Sequence, residues 1–264
     1  MQQTHIGVID SGVGGLSVYA AIKALNPTVP ILYLADSAYI PYGTKSPEFI
    51  STRSAQLVHT LVQKEITTIV IACNTITVTC LDTLRVRFPE VTFIGTVPVI
   101  KSAAEISPTK HIGVLSTSRT TESDYLDNLI ATYAANCIVT SLGTDELVPF
   151  VERGTIDGQE LKEVVVRVLQ PFIAASCDTI VLGCTHFPFL RPMIQSVLGE
   201  TVFLLDSGEA VAKQLMRQLE KEKLIIGGSD QFLTTGEANS FENVLTKLLH
   251  RSFSSEAVEK IDIV

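Results

Sequence analysis

The chain has 264 residues, 46% hydrophobic and 18% charged, with 20 Lys and Arg against 28 Asp and Glu for a net charge of −8. That length buries enough surface to fold without disulfide or metal staples, and it allows one large or two small domains. The acidic balance argues against a general nucleic-acid binder, and no apolar run reaches the ~18–20 residues that cross a bilayer, so neither nucleic acid nor membrane is an expected partner.

The first residues run straight into an apolar stretch with no basic segment before it, which predicts no signal peptide and a cytoplasmic location. Ile6–Ile9 reads as a buried strand, followed by Asp10-Ser11-Gly12 and a helix from Leu16 to Leu25. Ile31–Ala35 is the next strand and Pro47–Lys64 the next helix. The apolar run Thr68–Ala72 is a third strand, followed by Cys73-Asn74-Thr75 and a helix toward Arg87. Val91–Ile94 is a fourth strand. Continuous apolar strands alternating with helical patterns mark a parallel sheet covered on both faces.

The pattern then starts again. His111-Ile-Gly-Val-Leu-Ser116 echoes His5-Ile-Gly-Val-Ile-Asp10, at an offset of 106 residues. The segment from Asp178 to Thr185 echoes Thr67 to Thr75, at an offset of 111, and each copy carries a cysteine just past its strand. Two α/β units of about a hundred residues facing each other account for this. Residues 201–206 form a further strand, with helices near 208–222 and 238–250, and the tail is placed to pack back on the first unit.

Five cysteines, an odd number without Cys-x2-4-Cys spacing, fit neither a disulfide framework nor a zinc knuckle. Ligands of open α/β sheets bind beyond the carboxyl ends of the strands. Cys73 and Cys184 each occupy that place, whereas Cys80, Cys137 and Cys177 read as packing residues. Two thiols across a cleft suit three chemistries: a redox pair, a zinc site completed by His186, or two proton-transfer groups on opposite faces of one carbon. Asn74, Thr75 and Thr185 beside the thiols offer amide, hydroxyl and backbone donors that suit a carboxylate. His186, two residues after Cys184, can help ionise or reprotonate its thiol. The glycine-rich turn from Asp10 to Leu16 is not a dinucleotide fingerprint, because position 17 is Ser17, and it lacks the Walker lysine. It reads as a tight strand-to-helix turn with Asp10 aimed into the crevice, while Pro41-Tyr42-Gly43 is a turn signal after the second strand.

Taken together, Gly7–Leu16, Pro41–Ser46, Ala72–Thr75 and Gly183–Pro188 stand in an order and spacing that resembles the glutamate racemases of the cofactor-independent aspartate/glutamate racemase superfamily. The resemblance spans nearly the whole chain and departs from the common pattern at Ile76-Thr77, Phe187 and Thr96–Ile100. It implies two pseudosymmetric parallel-sheet α/β domains with the active site in the cleft between them. The first is discontinuous, 1–96 plus 207–264, and the second is 97–206. It implies interconversion of L- and D-glutamate with no organic cofactor and no metal, D-glutamate supply for peptidoglycan, and a homodimer. Carried over residue by residue, it makes Cys73 and Cys184 the acid/base pair, with Asp10 supporting the first and His186 and Glu152 the second. Asp10, Ser11, Pro41, Tyr42, Gly43, Asn74, Thr75, Thr185 and His186 are expected to hold substrate. Thr117 and Thr120, just past the second unit's first strand, mirror Ser11 and join that set. The competing expectations are a sibling racemase of aspartate or hydantoins, a metal or redox thiol protein, and a binding module without catalysis.

Overall fold

In a computed structural model of the chain, residues 5–222, 227–253 and 257–263 are described. Among the described residues ten strands lie in two sheets, and every pairing is parallel. They are β1 (Ile6–Asp10), β2 (Ile31–Ala35), β3 (Thr68–Ile71), β4 (Thr92–Gly95), β5 (His111–Ser116), β6 (Ile138–Gly143), β7 (Thr179–Gly183), β8 (Phe203–Leu205), β9 (Gln231–Thr234) and β10 (Val258–Lys260). The first sheet has the order β10-β9-β2-β1-β3-β4, and the second β6-β5-β7-β8.

The order β2-β1-β3-β4 therefore recurs as β6-β5-β7-β8. The echo in the sequence extends to register: Ile9 stands opposite Ile71 in one sheet, and Leu115 opposite Leu182 in the other. Those pairs are related by the same two offsets. The C-terminal strands β9 and β10 extend the first sheet beyond β2, so that sheet draws strands from both ends of the chain.

Side chains of β1 alternate between two apolar layers, as the pleat requires. Ile6 and Val8 join a cluster with Val13 that also takes in Leu147, Val151 and Phe187 from the other half of the chain, while Ile9 joins Leu57, Ile71 and Ile76 on the opposite face. A third cluster, with Ile100, Val114, Leu126 and Val181, covers the outer face of the second sheet. The first cluster thus fastens the two sheets to each other next to the strand ends. Among the described residues, no helix is long and apolar enough to cross a membrane.

The second sheet's packing makes a stability prediction. Phe172, fully buried on the helix Gln159–Ala174, lies against the bare backbone of Gly113 in β5. Phe172→Ala is expected to cost about 3–5 kcal/mol, read as a lower urea midpoint with unchanged dependence on denaturant.

Candidate active site

β1, β3, β5 and β7 all deliver their carboxyl ends to one region, and a narrow cavity lies there. Eleven of the fourteen residues singled out in the sequence line it: Ser11 after β1, Pro41, Tyr42 and Gly43 after β2, and Cys73, Asn74 and Thr75 after β3, with Thr117 after β5 and Cys184, Thr185 and His186 after β7. Ile40 and Val148 complete the wall. Among the described residues, no lysine or arginine lines the cavity. A charged ligand there meets hydroxyls, amides and backbone N–H groups, and among the described lining residues His186 is the group able to carry positive charge.

The two thiols have different surroundings. Cys73, 5% exposed, caps the helix Asn74–Arg87, and its Sγ lies 3.8 Å from Ser11 Oγ. Burial pushes its thiol well above the usual range and the Asp10 charge adds to this, while the Ile76 N–H and the Ser11 hydroxyl pull the other way. A thiol so placed holds its proton. Cys184, also 5% exposed, has its Sγ 3.6 Å from His186 Nδ1, and His186 Nε2 lies 2.6 Å from Glu152 Oε1. Burial alone would lower the His186 pKa. Hydrogen bonds to Cys184 and Glu152, and the charges of both, outweigh it and hold the ring well above the ordinary histidine range. A doubly protonated ring donates from one nitrogen to each partner.

Asp10, Glu152 and Thr120 stand behind the cavity wall. Asp10, fully buried, accepts from the Gly12 N–H at 2.9 Å and from Thr185 Oγ1 at 3.2 Å, so it ties the two halves together instead of pointing into the crevice. Burial raises its carboxyl above the ordinary range, against the pull of the His186 charge. Glu152 Oε1 also accepts from the Val13 N–H at 2.8 Å, a second tie between the halves. Thr120 holds Thr117, whose hydroxyl lies 3.0 Å from that of Thr120 and 2.9 Å from that of Thr75. The Tyr42 hydroxyl turns away from the cavity to Asp36, so Tyr42 offers the cavity its ring and backbone only.

The glycine-rich turn has a cause that the sequence does not display. A Cβ on Gly14 would stand 2.7 Å from Thr185 Oγ1 and collide with the His186 ring, and one on Gly12 would stand 2.8 Å from Glu152 Cδ. Neither glycine has a positive φ. They clear space for residues of the other half, and Ser17 Oγ then donates to the Thr185 carbonyl at 2.8 Å. Asn74 Nδ2 donates to the Thr96 carbonyl at 3.2 Å, which leaves its buried Oδ1 without a protein partner at the cavity wall. Ile40 and Val148 carry no polar signal by which sequence reasoning would find them. Asp36 and Arg53 lie seventeen residues apart and meet only in the fold. Of the remaining cysteines, Cys80 and Cys177 are buried and Cys137 is partly so; none of the three lines this cavity. Among the described residues, no three His, Cys, Asp or Glu side chains are grouped as a metal ion would need.

Comparison with known proteins gives a consistent result. Residues 6–215 match the family described as Asp/Glu/Hydantoin racemase. The glutamate racemase of Cupriavidus pinatubonensis is 39% identical over 257 residues, which cover 96% of this chain and 94% of that protein. Among solved structures, the Escherichia coli glutamate racemase in complex with L-glutamate and the activator UDP-MurNAc-Ala is similar, with a TM-score of 0.89 and 33% identity over 100% of both chains. The Francisella tularensis glutamate racemase in complex with D-glutamate has a TM-score of 0.85 and 27% identity, over 100% of this chain and 99% of that one.

Proposed function

The chain belongs to the Asp/Glu/Hydantoin racemase family, and from that premise we propose that it is a glutamate racemase in which two cysteines exchange protons with the α-carbon. The observation that carries the reading is that Cys73 and Cys184 line one cavity, each at the end of an equivalent strand and each with its own polar partner. Cys184 takes the α-proton of L-glutamate while Cys73 supplies one to the opposite face. In the reverse direction Cys73 takes the proton of D-glutamate and Cys184 supplies one.

The asymmetry of the surroundings suits those roles. Cys73 enters the L-to-D direction as a thiol, ready to donate. A cationic His186, held by Glu152, faces Cys184 and stabilises negative charge on its sulfur. An amino-acid α-proton is far less acidic than a thiol, so most of the catalysis lies in stabilising the carbanion-like state. In this reading the hydroxyls of Ser11, Thr75, Thr117 and Thr185 and the backbone at Tyr42–Gly43 hold the two carboxylates. Asn74 Oδ1, free of protein partners, accepts from the substrate ammonium. Holding the α-carbon between two sulfurs makes the proton transfers intramolecular, and the narrow cavity excludes competing water.

The division of the chain into 1–96 with 207–264 and 97–206 belongs to the same reading, with opening between the two units admitting substrate. So do a homodimer, a cytoplasmic location and supply of D-glutamate for peptidoglycan. The test is to incubate the purified protein with L- or D-glutamate in deuterated water. Optical activity is expected to decay toward zero, with a deuteron at the α-carbon of each inverted molecule by mass spectrometry. Turnover of aspartate alone, or inversion with retention of the original α-proton, would overturn the reading.

A further inference from the structure

Behind the Tyr42–Gly43 wall lies a buried charge cluster that the reaction itself does not use. Asp36, immediately after β2, is fully buried. Arg53 of the helix Pro47–Val62 grips its carboxylate from Nε at 3.0 Å and from Nη2 at 2.9 Å. Tyr42 donates its hydroxyl to the same carboxylate at 2.5 Å, and Thr235, just past β9, donates at 2.9 Å. The third arm of Arg53, Nη1, reaches the carbonyl of Ile263 near the C-terminus at 3.2 Å. The guanidinium also lies 4.6 Å from the centre of the Tyr39 ring, on the segment that leads into the cavity wall.

An isolated carboxylate in such a place would be costly, so the arginine and the two hydroxyl donors form a set in which each needs the others. Tyr42 is the one member that also lines the cavity. With its hydroxyl tethered, its ring and the Gly43 backbone beside it have one position. Gly43 has no room to adjust on its own: a Cβ there would stand 2.7 Å from Asp145 Cγ and 3.1 Å from Thr117 Cβ, both of the other half.

We propose that Asp36 and Arg53 are positioning residues for substrate binding: through the Tyr42 hydroxyl they preset the Tyr42–Gly43 wall, and the segment that carries Ile263 is part of that support. The proposal rests on the glutamate racemase reading for the identity of the substrate. It predicts a defect in binding, not in proton transfer, because the hydrogen bonds of Cys73, Cys184 and His186 go to Ser11, to each other and to Glu152, and not to members of the cluster.

Tyr42→Phe removes the tether and keeps the ring. It is expected to raise KM for L- and D-glutamate together by about tenfold, the effect of one charge-assisted hydrogen bond, with kcat within about twofold. The equilibrium constant of a racemisation is unity, so kcat/KM must fall equally for both isomers, an internal check on the measurement. Arg53→Met is expected to act in the same direction more strongly, and Arg53→Lys to recover part of the loss. If Arg53→Met does not fold, Tyr42→Phe alone decides the matter. A lower melting temperature with unchanged KM would overturn the proposal in favour of a purely structural cluster. A fall in kcat at constant KM would overturn it by placing Tyr42 in the chemistry. Failure of the unsubstituted protein to act on glutamate would remove the underlying reading, and with it the proposal; that outcome is read without any variant.

Discussion

Cys73→Ala is expected to lower kcat/KM for racemisation of either glutamate isomer by about 10³-fold, within the range that a positioned proton-transfer group supplies. Cys184→Ala is expected to do the same, because a cycle that needs a proton removed on one face and returned on the other stops when either group is missing. The two variants should nevertheless differ in what remains. Without Cys73, Cys184 can still take and return the α-proton of L-glutamate. Deuterium is then expected to enter the L isomer from solvent without inversion, and the D isomer to stay unlabelled. Without Cys184 the pattern reverses. Mass spectrometry after separation of the isomers reads both. Unimpaired racemisation by Cys73→Ala would sink the two-thiol mechanism.

The second large effect is expected at Glu152. Its carboxylate touches His186 and not the cavity, with the side chain 14% exposed beside a ring that is 4% exposed. Glu152→Gln keeps the shape and removes the negative charge. Because that charge and its hydrogen bond help to raise the His186 pKa, the substitution lowers it. The sign follows directly: the ring loses its second proton at a lower pH, so the alkaline limb of the pH–rate profile moves down. At neutral pH the rate is expected to fall about 10²-fold. Glu152→Asp, which restores a carboxylate, is expected to move the limb part of the way back. An unmoved limb in Glu152→Gln would separate Glu152 from the protonation of His186.

Much of this site is legible in the residues because strand ends and thiols are local features. The runs at Ile6, Thr68, His111 and Thr179 are apolar throughout, since both faces of each sheet are covered, and the residues just past them fall at the cavity. Other elements leave weaker marks. β6, at the edge of its sheet, is largely exposed or half-buried and lacks a continuous apolar run. β9 and β10 are short and owe their place to pairing with β2 and with each other. The direction of a side chain is harder still. Asp10 lies where the sequence places it, but its carboxylate is taken by Gly12 and Thr185. Tyr42 lines the cavity while its hydroxyl serves Asp36. The first outcome depends on Thr185, 175 positions away, and the second on an Asp36 carboxylate held by Arg53, 17 positions on, and Thr235, 199 positions on, which no local pattern encodes.

The repeated strand order has one more implication. Two identical short chains meeting about a twofold axis could also bring a sulfur to each side of a shared pocket, but symmetry would oblige both sulfurs to have the same neighbours. A continuous polypeptide is under no such obligation. Here one sulfur sits beside a serine and the other beside a histidine, an asymmetry that a symmetric pair of subunits cannot adopt.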